Sequence, residues 1–134
     1  MTTTTLYHGS NDGSLTEILD RTTGAVNFGG IFFSSERHGA QGHGRHVYSC
    51  ELDTSEIATS FKLGQHEPEE IEELGLDASE DEIDAAIDDS GESWDCQILR
   101  GRIARGLGYA AVEMSDEHGT SYLVFPGTDI ARAD

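Results

Sequence analysis

The stretch from Gly108 to Phe125 constrains what this chain can fold into more than any other. Two runs rich in Val, Tyr, Leu and Phe flank a polar segment that contains a glycine. Strand-forming residues on both sides of such a segment are typical of two antiparallel strands joined by a turn. We therefore predict a β-hairpin whose loop has about four to six residues.

The predicted loop contains two adjacent carboxylates, Asp116 and Glu117. Asp is common at the start of a turn, because its short side chain accepts hydrogen bonds from backbone N–H groups two residues on. The alternative interpretation is that a rigid hairpin presents a catalytic carboxylate at its tip. The choice between these two interpretations depends on which other residues of the chain are predicted to lie near Asp116.

The chain has 134 residues, which suits a single domain spanning 1–134. A domain of this size buries roughly two-thirds of its unfolded surface, so it can build a core without disulfides or metals. The sequence begins with a threonine run rather than a signal-peptide pattern, and no apolar stretch approaches the ~18 residues of a membrane span. We predict a cytoplasmic protein in which Cys50 and Cys96 are free thiols.

Negative charge dominates the composition. Asp and Glu number 26 and Lys and Arg 8, which gives a formal net charge of −18, and Lys62 is the only lysine. Such a chain repels phosphates, so we expect no direct binding of DNA or RNA. Three explanations remain: the acidic surface mimics nucleic acid, it steers the chain to a basic partner, or it reflects a salty or GC-rich source.

About half of the acidic residues fall between 66 and 91. Two pieces of this segment, 67–74 and 79–87, have thin apolar stripes and are predicted to be short helices. Ser79 and Glu82 have the spacing of a capping box. We predict a surface helical insertion over 66–91, which is either a solvated face or the element that contacts a partner.

The clearest helix is predicted from Ser93 to Leu107. Apolar residues recur on one face at helical spacing: Cys96, Leu99, Ile103 and Leu107. Three arginines are predicted on the other side: Arg100, Arg102 and Arg105. Alternation predicts strands over 2–8 and 46–52, and a further strand follows a glycine pair at 29–30. Strands near both ends of the chain predict an α+β fold with a mixed or split sheet.

No metal site is predicted. His38, His43 and His46 lie in a glycine-rich piece, but their spacings match no standard zinc pattern. The two cysteines are too sparse to complete one. The glycines of this region also lack the G-x-G-x-x-G and G-x-x-x-x-G-K-[ST] motifs of phosphate-binding loops.

Three separated pieces carry polar and aromatic residues at the ends of predicted strands. The first is Leu-Tyr-His-Gly-Ser at 6–10, where His8 ends the first strand. The second is Gly-Gly-Ile-Phe-Phe-Ser-Ser at 29–35, and the third is the hairpin with Asp116. Each piece alone is weak, because a histidine at a strand end and a Phe-Phe pair are usually structural.

Together and in this order, the three pieces resemble the motifs of the ADP-ribosyltransferase fold, over the whole chain outside the acidic segment. The resemblance implies split mixed and antiparallel β-sheets with a few short helices, and NAD+ as a substrate. It implies that the NAD+ pocket is formed by Tyr7, His8, Gly9, Phe32, Phe33 and Ser34.

More narrowly, the size, the acidic middle and the run Met-Ser-Asp-Glu-His-Gly-Thr at 114–120 are similar to the small phage anti-CRISPR ADP-ribosyltransferases. This resemblance implies a protein mono-ADP-ribosyltransferase in the cytoplasm of a bacterial host. Its implied target is the subunit of the type I-F Cascade complex that recognises DNA at the PAM, and modification blocks DNA binding.

One position departs from the pattern of the fold. Many of its transferases have the catalytic Glu inside the last strand, directly before an aromatic residue, and here that place holds Ser121, before Tyr122. The acid is therefore expected from the loop. The anti-CRISPR resemblance favours Asp116, with Glu117 as the reserve.

Two other functions are compatible with the residues. A non-enzymatic acidic protein that mimics DNA would occupy a basic groove one-to-one, and the segment 67–89 would carry the binding. A transferase-type toxin would act on a housekeeping target. Inhibition at trace amounts in the presence of NAD+ separates an enzyme from a mimic, and growth arrest on expression would favour a toxin.

Overall fold

The computed structural model describes residues 2–10, 30–36, 45–90, 94–116 and 119–133. The strands are β1 (Thr3–Ser10), β2 (Ile31–Phe33), β3 (His46–Asp53), β4 (Ile57–Ala58), β5 (Ala111–Asp116), β6 (Gly119–Val124) and β7 (Ala131–Arg132). The α-helices are α1 (Ser60–Gly64), α2 (Pro68–Glu72), α3 (Glu80–Asp88) and α4 (Trp94–Gly106), and a 3₁₀ turn covers Thr54–Glu56.

The strands form two sheets, and a backbone bridge connects one sheet to the other. Strands β1, β3 and β7 form an antiparallel sheet in the order β1-β3-β7. The second sheet has the order β2-β6-β5-β4, in which only β4 runs parallel to its neighbour. Tyr7 and Ser34 exchange two backbone hydrogen bonds of 2.7 Å and so join β1 to the end of β2. The predicted α+β architecture with split mixed and antiparallel sheets and a few short helices is confirmed.

Two apolar clusters give the molecule three layers. The first unites the facing sides of the two sheets: Leu6, Cys50 and Leu52 with Ile31, Phe33, Ile57, Ala111 and Val124. The second packs the other side of the four-stranded sheet against the helices: Ala58, Val112, Met114, Leu123 and Phe125 with Leu63, Ala86, Ile103 and Ala104. The alternation of β5 and β6 explains this arrangement, because successive side chains of a strand face opposite sides of its sheet.

The predicted hairpin is confirmed, but its loop is shorter than predicted. The ladder between β5 and β6 continues to the pairs Ser115–Thr120 and Asp116–Gly119, so only residues 117 and 118 connect the strands. Buried Met114 and Leu123 fix the register, since a slip of one residue would move both out of the core. Asp116 is therefore the last paired residue of a strand and not a loop residue, whereas Glu117 lies outside the described residues.

Helix α4 corrects one prediction. Arg102 and Arg105 are exposed as expected, but Arg100 exposes only 1 % of its surface. Its guanidinium donates hydrogen bonds to three backbone carbonyl oxygens, those of Glu113 (2.8 Å), Ala86 (3.0 Å) and Ile87 (2.7 Å). Burial lowers the pKa of Arg100, and the nearby charges of Asp89 and Glu113 oppose that shift. Periodicity cannot reveal such a partner, because it registers only that the residue is polar. Ser93, at which the helix was predicted to begin, lies outside the described residues.

The acidic segment forms the predicted short helices, and its capping box at Ser79 and Glu82 is confirmed. It is nevertheless attached to the body of the molecule at two places. Arg100 binds the last carbonyl groups of α3, as described above. At the other end, His66 Nε2 lies 2.8 Å from the Tyr109 hydroxyl.

Both cysteines are free thiols, as predicted. Cys50 is buried between the sheets, and this burial raises the pKa of its thiol to about 12. Cys96 is partly buried on α4. Since the thiolate is the reactive form, Cys50 is a core residue and not a nucleophile at neutral pH.

Gly30, directly before β2, allows a test of how closely this segment packs against β6. A Cβ atom at this position would overlap the carbonyl oxygen of Val124 on β6. We expect Gly30→Ala to lower the free energy of unfolding by about 1–3 kcal/mol, because the backbones must separate. Gly64→Ala is the matched control, since a Cβ there meets nothing within 4 Å and alanine favours a helix. Urea titration measures both, and equal stability of the two variants would contradict the prediction.

Candidate functional site

A cavity of about 230 Å³ lies where the two sheets are joined. It is lined by residues from the end of β1, from β2 and its continuation, and from β6: Tyr7, His8, Gly9, Phe32, Phe33, Ser34 and Ser121. The backbone bridge between Tyr7 and Ser34 brings the first two pieces together, although residues 11–28 lie between them in the chain. All six residues predicted for the NAD+ pocket therefore line one cavity.

The imidazole of His8 is held in a defined orientation. Its Nδ1 lies 2.8 Å from the backbone oxygen of Phe32, which can only accept. Nδ1 therefore carries the hydrogen, and in the neutral ring Nε2 is the acceptor. The ring also lies against Phe33, with centroids 5.3 Å apart and planes tilted by 38°. His8 thus places an imidazole of defined orientation beside a flat aromatic surface.

Ser34 combines a backbone and a side-chain function. Its backbone pairs with Tyr7, and its hydroxyl accepts a 3.1 Å hydrogen bond from the backbone N–H of Glu36. A serine hydroxyl that accepts one bond can still donate its own hydrogen. The wall of the cavity therefore carries a hydroxyl whose position is set by a turn.

Asp116 approaches this cavity along the hairpin. Its backbone pairs with Gly119, and Ser121, two residues further along β6, lines the cavity. Diagonal positions of this kind in an antiparallel pair are roughly 7–8 Å apart. The strand end that carries Asp116 is therefore next to the cavity wall.

Ser121 lies at the position that the sequence comparison with the transferase fold singled out. That place, occupied by a Glu in many of the fold's members, is part of the cavity wall here. From the sequence, Ser121 is notable only as the place of a missing acid, and it is not among the predicted pocket residues. Its position before Tyr122, which pairs with Phe33 of β2, was the signal that could have identified it.

The strand end is also supported from the helical side, which sequence reasoning missed. Asp89 follows α3 in the left-handed conformation, with φ of 55°, and its carboxylate accepts a 2.8 Å hydrogen bond from the backbone N–H of Ser115. Asp tolerates this backbone conformation better than most residues. Helix α3 therefore ends in a direct hydrogen bond to the residue before Asp116.

Few titratable groups near the site have perturbed pKa values among the residues described. Burial raises the pKa of the Tyr122 hydroxyl, and the charge of Glu113, its partner across the hairpin, adds to the shift. Tyr122 therefore stays neutral at physiological pH and packs against the core between the sheets. It does not line the cavity.

Metal and membrane sites are not found in the described ranges. No group of three or more His, Cys, Asp or Glu side chains there is arranged to hold a metal ion. His38 and His43 lie outside those ranges. No helix in the same part of the chain has the length and hydropathy needed to cross a membrane.

Comparison with known families decides which family the chain belongs to. The model of the family described as "Anti-CRISPR Type I-F ADP-ribosyltransferase AcrIF11" matches residues 4–133. The chain belongs to this family. A solved structure titled "Crystal structure of an anti-CRISPR protein" is similar, with 31 % sequence identity and a TM-score of 0.74. The match covers 98 % of this chain and 96 % of the other. No curated protein sequence matches the chain.

Membership of the type I-F anti-CRISPR ADP-ribosyltransferases confirms two predictions made from the sequence. The resemblance to this family is confirmed by both comparisons. The predicted enzyme class, an NAD+-dependent protein mono-ADP-ribosyltransferase, is confirmed by the family.

Proposed function

We propose that the 230 Å³ cavity binds the nicotinamide and adjacent ribose of NAD+, and that the chain transfers ADP-ribose from there to a CRISPR–Cas subunit. One observation carries the proposal: three sequence pieces that are far apart in the chain meet at one cavity beside the end of β5. Pockets for drug-sized ligands have volumes of ~300–1,000 Å³, so this cavity suits one end of a dinucleotide and not the whole molecule.

The lining residues fit that end of the substrate. Phe33 offers a flat apolar wall to the nicotinamide ring, and the hydroxyl of Ser34 can donate to its carboxamide oxygen. The imidazole of His8, held in place by the bond between Nδ1 and Phe32, lies in the cavity wall where it can orient the ribose. These contacts orient the bond between nicotinamide and ribose without forming a covalent link to the protein.

The reaction breaks that bond and forms a bond from the ribose carbon to the acceptor side chain. Positive charge develops on the ribose as nicotinamide leaves, as it does in glycoside cleavage. A carboxylate at Asp116 stabilises this charge and takes the proton that the acceptor loses. Glu117, its neighbour in the sequence, is the reserve for either role.

We propose the PAM-recognising subunit of the type I-F Cascade complex as the acceptor. A protein surface that holds DNA is basic, and a chain with net charge −18 is attracted to it. Attachment of a bulky, negatively charged ADP-ribosyl group to that surface would prevent DNA from binding. The reaction then takes place in the cytoplasm of a bacterial host.

Stoichiometry tests the proposed function. The protein is added to purified type I-F Cascade at about one molecule per hundred, with and without NAD+, and DNA binding, free nicotinamide and the mass of each subunit are measured. We expect loss of DNA binding only with NAD+, together with one ADP-ribosyl group on the PAM-recognising subunit.

Two results would contradict the proposal. Inhibition that needs equimolar protein and ignores NAD+ would identify a DNA mimic. Release of nicotinamide without any gain of mass on a Cascade subunit would show that the enzyme hydrolyses NAD+ or modifies a different acceptor.

A further inference from the structure

A second and larger cavity, of about 560 Å³, is a groove among α1, α2 and α3, and none of the residues that line the first cavity lines it. Its floor is aliphatic. Leu63 and Ile71 are buried there, while Ile83 and Ile87, one turn apart on α3, are only partly covered. Half-covered isoleucines gain stability when another apolar surface excludes water from them.

The rim of this groove is acidic apart from His66, whose Nδ1 lies 2.9 Å from a carboxylate oxygen of Glu70. Glu72, Glu80, Asp84 and Asp88 line it, and all four are exposed. No Lys or Arg contributes to the lining. Lys62, the only lysine of the chain, donates its ammonium group to the carbonyl oxygens of Thr54 and Ile57. An apolar floor within an acidic rim is complementary to a surface that combines aliphatic side chains with Arg or Lys.

The groove ends close to the candidate catalytic strand. Ile87 and Asp88 line it, and the next residue, Asp89, bonds the backbone N–H of Ser115 at 2.8 Å. Ser115 directly precedes Asp116. A polypeptide seated in the groove would therefore lie along the path to the strand end where transfer is proposed.

We propose that this groove is the docking surface for the protein acceptor, which it binds through a basic amphipathic segment. The inference rests on the proposed function, since it names how the same enzyme selects its substrate. A second copy of the chain is a poor occupant, because it brings another −18 of like charge. Binding in this groove adds affinity for the acceptor protein, and the NAD+ cavity, where the reaction takes place, can stay small.

Paired charge reversals test the groove. The groove variant is Glu72→Lys/Asp84→Lys. The matched control is Glu69→Lys/Asp81→Lys, which changes two exposed acids of the same helices that do not line the groove, with the same change of charge. Binding of purified type I-F Cascade is measured without NAD+ by interferometry. Nicotinamide release is then measured over a range of Cascade concentrations, and over a range of NAD+ concentrations at saturating Cascade.

We expect the groove variant to weaken binding of Cascade about tenfold, with its KM for Cascade raised by a similar factor and its kcat and KM for NAD+ unchanged. The control should change binding by less than about twofold, because exposed charges outside an interface contribute little. Thermal unfolding confirms that both variants are folded.

Equal weakening by the two pairs would overturn the groove in favour of general charge attraction, and so would unchanged binding in both. Self-association of the wild type in sedimentation that the groove variant loses and the control keeps would assign the groove to a second copy and also overturn the proposal. Failure of the wild type to bind Cascade would overturn it as well. Wild type that binds through the groove but transfers nothing would contradict the proposed function and leave the docking surface standing.

Discussion

Asp116→Asn is expected to reduce NAD+-dependent modification of the acceptor by about 10²–10⁴-fold, since it removes a carboxylate that stabilises charge and accepts a proton. The side chain keeps its size, so β5 should remain paired with β6. Nicotinamide release and mass gain of the acceptor measure the effect under multiple turnover. The loss should appear in kcat, because the carboxylate acts on the transition state and not on the bound substrate.

The control for this variant is Asp129→Asn, which removes the same charge from an exposed residue that does not line the cavity. Its activity should stay within about twofold of wild type. Glu117→Gln separates the two adjacent carboxylates. Full activity of Asp116→Asn with loss in Glu117→Gln would transfer the catalytic function to Glu117. Full activity of both variants would remove the hairpin carboxylates from the mechanism.

Arg100→Met is expected to cause the largest loss of stability, about 3–5 kcal/mol, because it leaves three carbonyl groups without their donor and removes a charge that faces Asp89 and Glu113. Methionine fills much of the same volume, so the lost hydrogen bonds and charge dominate the effect. Arg102→Met on the exposed face of α4 should change the free energy of unfolding by no more than about 0.5 kcal/mol.

Arg100 also affects the site at a distance. It holds the end of α3, and the following residue, Asp89, holds Ser115 beside Asp116. We expect Arg100→Met, assayed at a temperature where it is still folded, to lose more activity than its unfolded fraction explains. Chemical denaturation gives that fraction. Activity that falls only in proportion to unfolding would show that Arg100 serves stability alone.

The sequence by itself determined the parts of the fold that depend on local chemistry. The hairpin of β5 and β6 and the helix capped by Ser79 follow from short-range patterns of strand-forming and capping residues. The pocket residues were predicted because a resemblance related three pieces of chain to one site. Their meeting at one cavity agrees with that prediction.

The tertiary structure alone decided how those pieces are held together. The ladder ends at Asp116 because the core sets the register of the hairpin. The burial of Arg100 and the hydrogen bond from Ser115 to Asp89 depend on contacts between residues that are distant in sequence. A polar residue on a helix is expected from the sequence to face solvent. Arg100 is buried instead because its partners are backbone carbonyl groups of α3 and β5. The groove among the three short helices is of the same kind, because its apolar floor and acidic rim come from segments that only packing brings side by side.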